Sequence, residues 1–172
     1  MSQPEKLESQ PILIAFDLET TGLYEDESAI TEIGAVKFTL DGEFVMQIGR
    51  SNASGGNADT HNLHEPADAF LYPPTNELFV ADGYGNHRVA VFDADTGAFK
   101  RMWGAFGNVP EDDDHCPNLS LDSVPDGPGP PQFGVVHALR VSTDGLVYVA
   151  DRENRRVQVF TIDGEYVDQI LR

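Results

Sequence analysis

Two stretches of this chain repeat each other, and that restricts its fold more than any other feature. ELFVADGYGNHRVAVFDADTGAF (77–99) and LVYVADRENRRVQVFTIDGEYV (146–167) align with one gap in each half. They share V-A-D, then N-x-R-V, then V-F, then a glycine shortly followed by an aromatic residue. Each copy reads as an apolar alternating strand, a polar turn, a second alternating strand, a glycine turn and a third strand. Val89 and Val91, like Val157 and Val159, recur at period two, which sets them on one sheet face. Antiparallel units repeated in this way stack radially as the blades of a propeller.

A third echo lacks its front half. VKFTLDGEFVMQI (36–48) matches VFTIDGEYVDQI (159–170), with Phe38 on Phe160 and Gly42 on Gly164. Where a V-A-D…N-x-R-V half should precede it stands FDLETTGLYEDESAITEIGA, so a junction is expected near Gly34 to Phe38. The segment 107–133 is dense in Pro, Gly and Asp and reads as a long surface loop. SNASGGNADTHN (51–62) reads as a flexible connector.

Composition removes several function classes. A formal net charge of −18 over 172 residues argues against a broad nucleic-acid-binding surface, which needs clustered Lys and Arg. Ten Phe and five Tyr in a chain 40% hydrophobic are too many for disorder. No apolar run approaches the roughly 20 residues of a membrane span. Cys116 is the single cysteine, so neither an internal disulfide nor a cysteine-based zinc cluster can form. The opening MSQPEKLESQPILIAF is too acidic, and its apolar stretch too short, for a secretion signal; a cytoplasmic location is the expectation.

ADGYGNHRV (81–89), VVHAL (135–139) and VADRENRRVQVF (149–160) carry a resemblance over residues 36–172 to the NHL-repeat β-propellers. More narrowly, the region is similar to the peptidyl-α-hydroxyglycine α-amidating lyase branch. That resemblance implies a zinc ion held by three histidines near the propeller axis, with a tyrosine and arginines handling the substrate. Position by position, it sets Tyr84 as the tyrosine, His137 as one zinc histidine and Arg152 as one arginine. A metal can polarise the hydroxyl, a phenol can move a proton and a guanidinium can grip a carboxylate. The blade expected to bring another histidine is replaced by the foreign segment, and the third would come from beyond Arg172. Ala67 stands where the next unit has His137, and His64 and Gly85 stand at the family's two cysteine positions. His61, His64, His87 and His115 fall in loops and turns. The zinc site is therefore expected to be incomplete.

FDLETTGL (16–23) and ITEIGAVKF (30–38) resemble the first motif of the DEDD-type 3′–5′ exonucleases. Asp17 and Glu19 end the strand ILIAF on one side, where two carboxylates can hold Mg²⁺ or Mn²⁺, and Thr20, Thr21 and Gly22 let a nucleotide approach the backbone. The remaining two acids of such a site are not found. His61-Asn62 lacks an acid at the expected spacing, Asp68 falls two residues late, and no His or Tyr carries the third motif. Glu25, Asp26 and Glu27 would repel a nucleic-acid backbone.

Other candidates are weaker. Glu111 to Asp114 lacks the spacing of a calcium loop, and His115-Cys116 shares that acidic loop. Arg152, Arg155 and Arg156 form a basic cluster suited to an anion or to neighbouring acids. The expected architecture is mainly β: residues 1–10 flexible, 11–38 a short exonuclease-like β segment, and 39–172 an unclosed NHL-type propeller of two full blades plus a partial one. The expected role is a binding or assembly module of a hybrid or truncated chain, catalytically incompetent as it stands; the alternative is a metal-dependent 3′–5′ exonuclease acting through Asp17 and Glu19. Its expected partner is protein, or a second copy meeting open sheet edges, rather than nucleic acid or membrane.

Overall fold

Alternation and glycine turns set the strand borders. The computed structural model describes residues 12–15, 18–20, 30–32, 36–39, 42–112 and 127–171. Its strands are β1 (Ile12–Ala15), β2 (Leu18–Thr20), β3 (Ile30–Glu32), β4 (Val36–Thr39), β5 (Phe44–Gln47), β6 (Asp68–Tyr72) and β7 (Glu77–Asp82). They continue as β8 (Arg88–Asp93), β9 (Phe99–Trp103), β10 (Val136–Val141), β11 (Leu146–Asp151), β12 (Arg156–Thr161) and β13 (Tyr166–Leu171). Gly42, Gly97 and Gly164, the glycines of the three repeated turns, all have φ between 70° and 90°, a region that costs a side chain and that glycine enters freely.

The two full repeats form two four-stranded antiparallel sheets, β6-β7-β8-β9 and β10-β11-β12-β13, each an up-and-down meander. A three-stranded sheet has the order β1-β4-β5, and β2 pairs with β3. In the three-stranded sheet, β4 and β5 occupy the places of β12 and β13. The strand β1 flanks β4 opposite β5, as β11 flanks β12 opposite β13. The strand β1, which precedes the repeated sequence, thus fills a second-strand position in a blade-like sheet. Among the described residues the architecture is mainly β and unclosed, a partial NHL-type propeller.

Packing between sheets follows the alternation. Phe79, Ala81, Val89 and Val91 of the first full sheet meet Leu139, Val141, Val147, Val149 and Phe160 of the second in one buried cluster. On the other face Leu78, Val80, Ala90 and Phe92 pack with Ile48, Leu63 and Met46. Each Val, Leu, Ile or Phe side chain fully buried in this way contributes roughly 1.5–3 kcal/mol.

The repeated Asp and Arg form fully enclosed polar contacts. Arg88 Nε donates to Asp82 Oδ2 at 2.8 Å and Arg156 Nε to Asp151 Oδ2 at 2.7 Å, with all four side chains fully buried. Asn86 and Asn154 add a donor to each carboxylate, and the backbone N–H groups of His64 and Gly134 add another. Burial pushes both carboxyls above the usual range, against the pull of the guanidinium and these donors. The rest of each guanidinium binds the loop entering its sheet. Arg88 donates to the carbonyls of Asn57, Asp59 and Asn62, and Arg156 to those of Pro128, Pro130 and Gln132.

Two loop expectations need correction. Residues 51–62 do not form a flexible connector: Arg88 holds three of their carbonyls, Asn57 is buried, and Asp59 accepts the N–H groups of Gly55, His61 and Asn62. The segment 107–133 is not wholly a surface loop, because Pro110 and Phe133 are buried and its last residues are tied to Arg156. Its residues 113–126 lie outside those described. Among the described residues no helix is long and apolar enough to cross a membrane.

Candidate functional site

Three segments converge at the rim between the two full sheets. The first is the β7–β8 turn, held against the preceding loop by the N–H of Tyr84 to Glu65 O at 3.2 Å and of Gly85 to His64 O at 3.1 Å. At Gly83 a Cβ would fall 2.1 Å from the carbonyl oxygen of Val136, so only glycine lets this turn abut the start of β10. The second segment is β10 itself, whose register with β11 shifts between Val136 and Ala138. This irregularity falls at His137 and re-aims its side chain, as a bulge does. The third is the β11–β12 turn, anchored by the N–H of Arg152 to Val135 O at 2.9 Å.

The side chains of Tyr84, His137 and Arg152 meet there. Tyr84 Oη lies 3.2 Å from His137 Nδ1, and Arg152 Nη1 donates to Tyr84 Oη at 3.1 Å. The tyrosine and histidine rings stand edge to face with centroids 5.7 Å apart, and the guanidinium lies 5.2 Å from the Tyr84 ring centre. Arg152 donates to the phenol oxygen, and the imidazole tautomer decides which of Tyr84 Oη and His137 Nδ1 donates to the other. Arg152 Nε also donates to Glu153 Oε1 at 2.8 Å, and this bond is the main reason its pKa is raised. All three side chains reach solvent. A cation, a phenol and an imidazole so placed can hold a carboxylate and move a proton.

A zinc ion needs three protein ligands. Among the described residues no three His, Cys, Asp or Glu side chains come together, and one nitrogen of His137 is engaged by Tyr84. The described residues by themselves do not supply the three ligands of a tight zinc site. Of the proposed magnesium or manganese ligands, Asp17 lies outside the described residues, and Glu19 sits in β2 opposite Thr31 at the level of the backbone. His115 and Cys116 also lie outside the described residues.

The basic cluster divides in two. Arg156 is buried against Asp151, whereas Arg152 is exposed beside Tyr84 and Glu153. The resemblance's two cysteine positions are neighbours here, since a Cβ at Gly85 would fall 2.3 Å from the His64 ring. Sequence reasoning missed the Asp82–Arg88 pair and offered Arg156 to neighbouring acids without singling out Asp151, although both pairs stand inside the repeated V-A-D…N-x-R-V pattern.

The NHL repeat model matches residues 133–160, which hold His137, Arg152 and the Asp151–Arg156 pair. The chain is 34% identical over 143 residues to peptidyl-glycine alpha-amidating monooxygenase B of Xenopus laevis, covering 82% of this chain and 14% of that protein. It is 31% identical over 120 residues to a probable peptidyl-alpha-hydroxyglycine alpha-amidating lyase of Caenorhabditis elegans, covering 69% of this chain and 28% of the relative. To NHL repeat-containing protein 3 of Homo sapiens it is 28% identical over 155 residues, with 84% and 38% covered. The chain therefore spans well under half the length of these relatives. It carries an NHL repeat in a partial, mainly β module related to the amidating lyases.

Proposed function

We propose that this chain is a binding module of the amidating-lyase kind, which seats the carboxylate of a peptide ending in α-hydroxyglycine on Arg152 and Tyr84 without turning it over. The observation that carries this reading is the convergence of three separate segments that sets Tyr84 Oη within 3.2 Å of both His137 and Arg152. A guanidinium fork is the side chain best shaped for a carboxylate, and the phenol beside it can donate to the same group. Glu153 competes for the fork, so ligand binding displaces or shares that contact. Turnover in the relatives' manner asks for a three-ligand metal cage, and one imidazole at this rim does not supply it.

Calorimetry of the purified chain with such a peptide tests the reading, alongside an assay for glyoxylate release with added Zn²⁺. Saturable binding weakened at least about tenfold in Arg152→Ala, and tightened in Glu153→Gln, is the expected result, with no glyoxylate formed. Absence of binding overturns the proposal, and so does glyoxylate release lost in Tyr84→Phe.

A further inference from the structure

A cavity of about 420 Å³ lies between the end of β5 and the loop that leads to β6. Gln47, Gly49, Arg50, Ala53, His61 and Asn62 line it, with no carboxylate among them. Acids outnumber bases in this chain by 29 to 11, and Arg88, Arg101, Arg140, Arg152 and Arg156 each pair with one. Among the described residues the exposed Arg50 side chain has no such partner. Both walls of the cavity are already held in place. Ile48 and Leu63, 5% and 3% exposed, each follow or lie beside a wall residue and bury in one apolar cluster. Gly49, at φ 85°, turns the chain out of β5 just before Arg50, and Gln47 Nε2 donates to its carbonyl at 2.9 Å. On the opposite wall Asp59 accepts the N–H groups of His61 and Asn62 and the Asn62 side-chain amide, at 2.7, 3.1 and 3.0 Å. The N–H of Gly55 is its fourth donor, so this carboxylate is engaged by its own loop rather than by Arg50.

We propose that this cavity binds a phosphate group, free or as the monoester of a small molecule, on Arg50 and His61. The inference goes beyond the peptide reading and uses none of its residues. A guanidinium fork bonds two phosphate oxygens at once. In the complex Thr60 Oγ1, 3.1 Å from His61 Nδ1, donates to that nitrogen, and the ring donates to the ligand from Nε2. The Gln47 and Asn62 amides each keep a second N–H beyond the one already bonded. Donors at four lining positions suit a tetrahedral group with three free oxygens better than a planar carboxylate with two. Gly49 and Ala53 present at most a methyl group, which leaves room for the body of an ester. Because the walls are built in advance, binding has only the Arg50 and His61 side chains left to order.

Calorimetric titration of the purified chain with inorganic phosphate and, separately, with glycerol phosphate tests this, with amide chemical shifts read in parallel. Half-saturation below about 1 mM is expected for at least one probe, with shifts at Arg50, His61 and Asn62. Tighter binding of glycerol phosphate supports an organic monoester as the ligand, and tighter binding of inorganic phosphate supports the free ion. Arg50→Ala is expected to weaken binding at least about tenfold and His61→Ala at least about threefold. Circular dichroism should be unchanged in both, because both side chains are exposed. Failure of both probes to saturate, binding indifferent to Arg50→Ala, or acetate bound as tightly as phosphate overturns the inference. So does phosphate binding lost in Arg152→Ala with Arg50 intact, which assigns the ion to the rim.

Discussion

Arg88 and Asp82 are six residues apart, fully buried and joined at 2.8 Å, and the same guanidinium closes three carbonyls of the loop at 57–62. Arg156 and Asp151 repeat the arrangement with the loop at 128–132. The recurring Asp and Arg are therefore fasteners between a sheet and the chain that enters it. An Asp–Arg pair this deep is stable only because nearly every donor and acceptor has a partner.

Removing Arg88 strands a buried carboxylate and three carbonyls at once. Arg88→Ala is expected to lower unfolding stability in urea by about 3–5 kcal/mol, with early loss of amide protection in residues 57–62. Arg88→Lys should recover little, since one ammonium cannot reach a carboxylate and three diverging carbonyls. A loss below about 1 kcal/mol in Arg88→Ala would show that the guanidinium is dispensable.

Acid should weaken the contact between the two full sheets through Glu77. Arg101 binds both of its carboxylate oxygens, at 2.7 and 2.8 Å, and donates onward to the carbonyl of Ile162 in the second sheet. Chiefly through Arg101, Glu77 is held at about 2, below its ordinary 4.5. A carboxyl depressed on folding adds stability above its unfolded pKa and loses it as pH falls toward the folded one. The contribution, roughly 3 kcal/mol, should disappear between about pH 4.5 and 2. Glu77→Gln should flatten stability against pH in that window; an unchanged slope would assign the acid sensitivity elsewhere.

Much of this fold is visible in the sequence because period-two alternation and glycine turns are local signals. The strands β7, β8, β11 and β12 fall inside the two repeats, and Gly97 and Gly164 mark their turns. The stretch 51–62 misleads because Ser, Asn, Gly and Asp give no apolar anchor, while its anchor is a set of backbone carbonyls that composition does not record. The burial of Arg88 and Arg156 has no local sign either, since what satisfies each guanidinium besides its aspartate is a set of loop carbonyls. The meeting of Tyr84 with His137, 53 residues apart, is a distance that only sheet stacking supplies.

Gly83 tests how tightly that stacking holds the rim. A methyl group there would lie 2.1 Å from Val136 O and 2.5 Å from its nitrogen, both backbone atoms that cannot swing aside. Gly83→Ala is expected to destabilise by about 1–3 kcal/mol and to displace the Tyr84 turn from His137. The His137 ring resonances should shift in NMR spectra even where the variant stays folded. Unmoved resonances with full stability would mean the turn has room the geometry denies it.

Lys37 fixes the three-stranded sheet to its neighbour and allows the last prediction. Its ammonium, 8% exposed as a residue, donates to Ala94 O at 2.9 Å and Asp95 Oδ1 at 3.0 Å in the β8–β9 turn. The remaining attachment described is the apolar cluster of Ile48 and Met46 with Leu78 and Phe92. Lys37→Met keeps the chain length and removes both bonds, leaving Ala94 O without this donor. Amide exchange in Phe44–Gln47 should accelerate at least about tenfold, because this sheet then opens below the global unfolding free energy. Exchange in β7 and β8 should stay at the wild-type rate, since their hydrogen bonds and burial are untouched. Equal acceleration in all three strands would make Lys37 a support of the whole module, and no acceleration in β5 would leave the apolar cluster as its sole anchor.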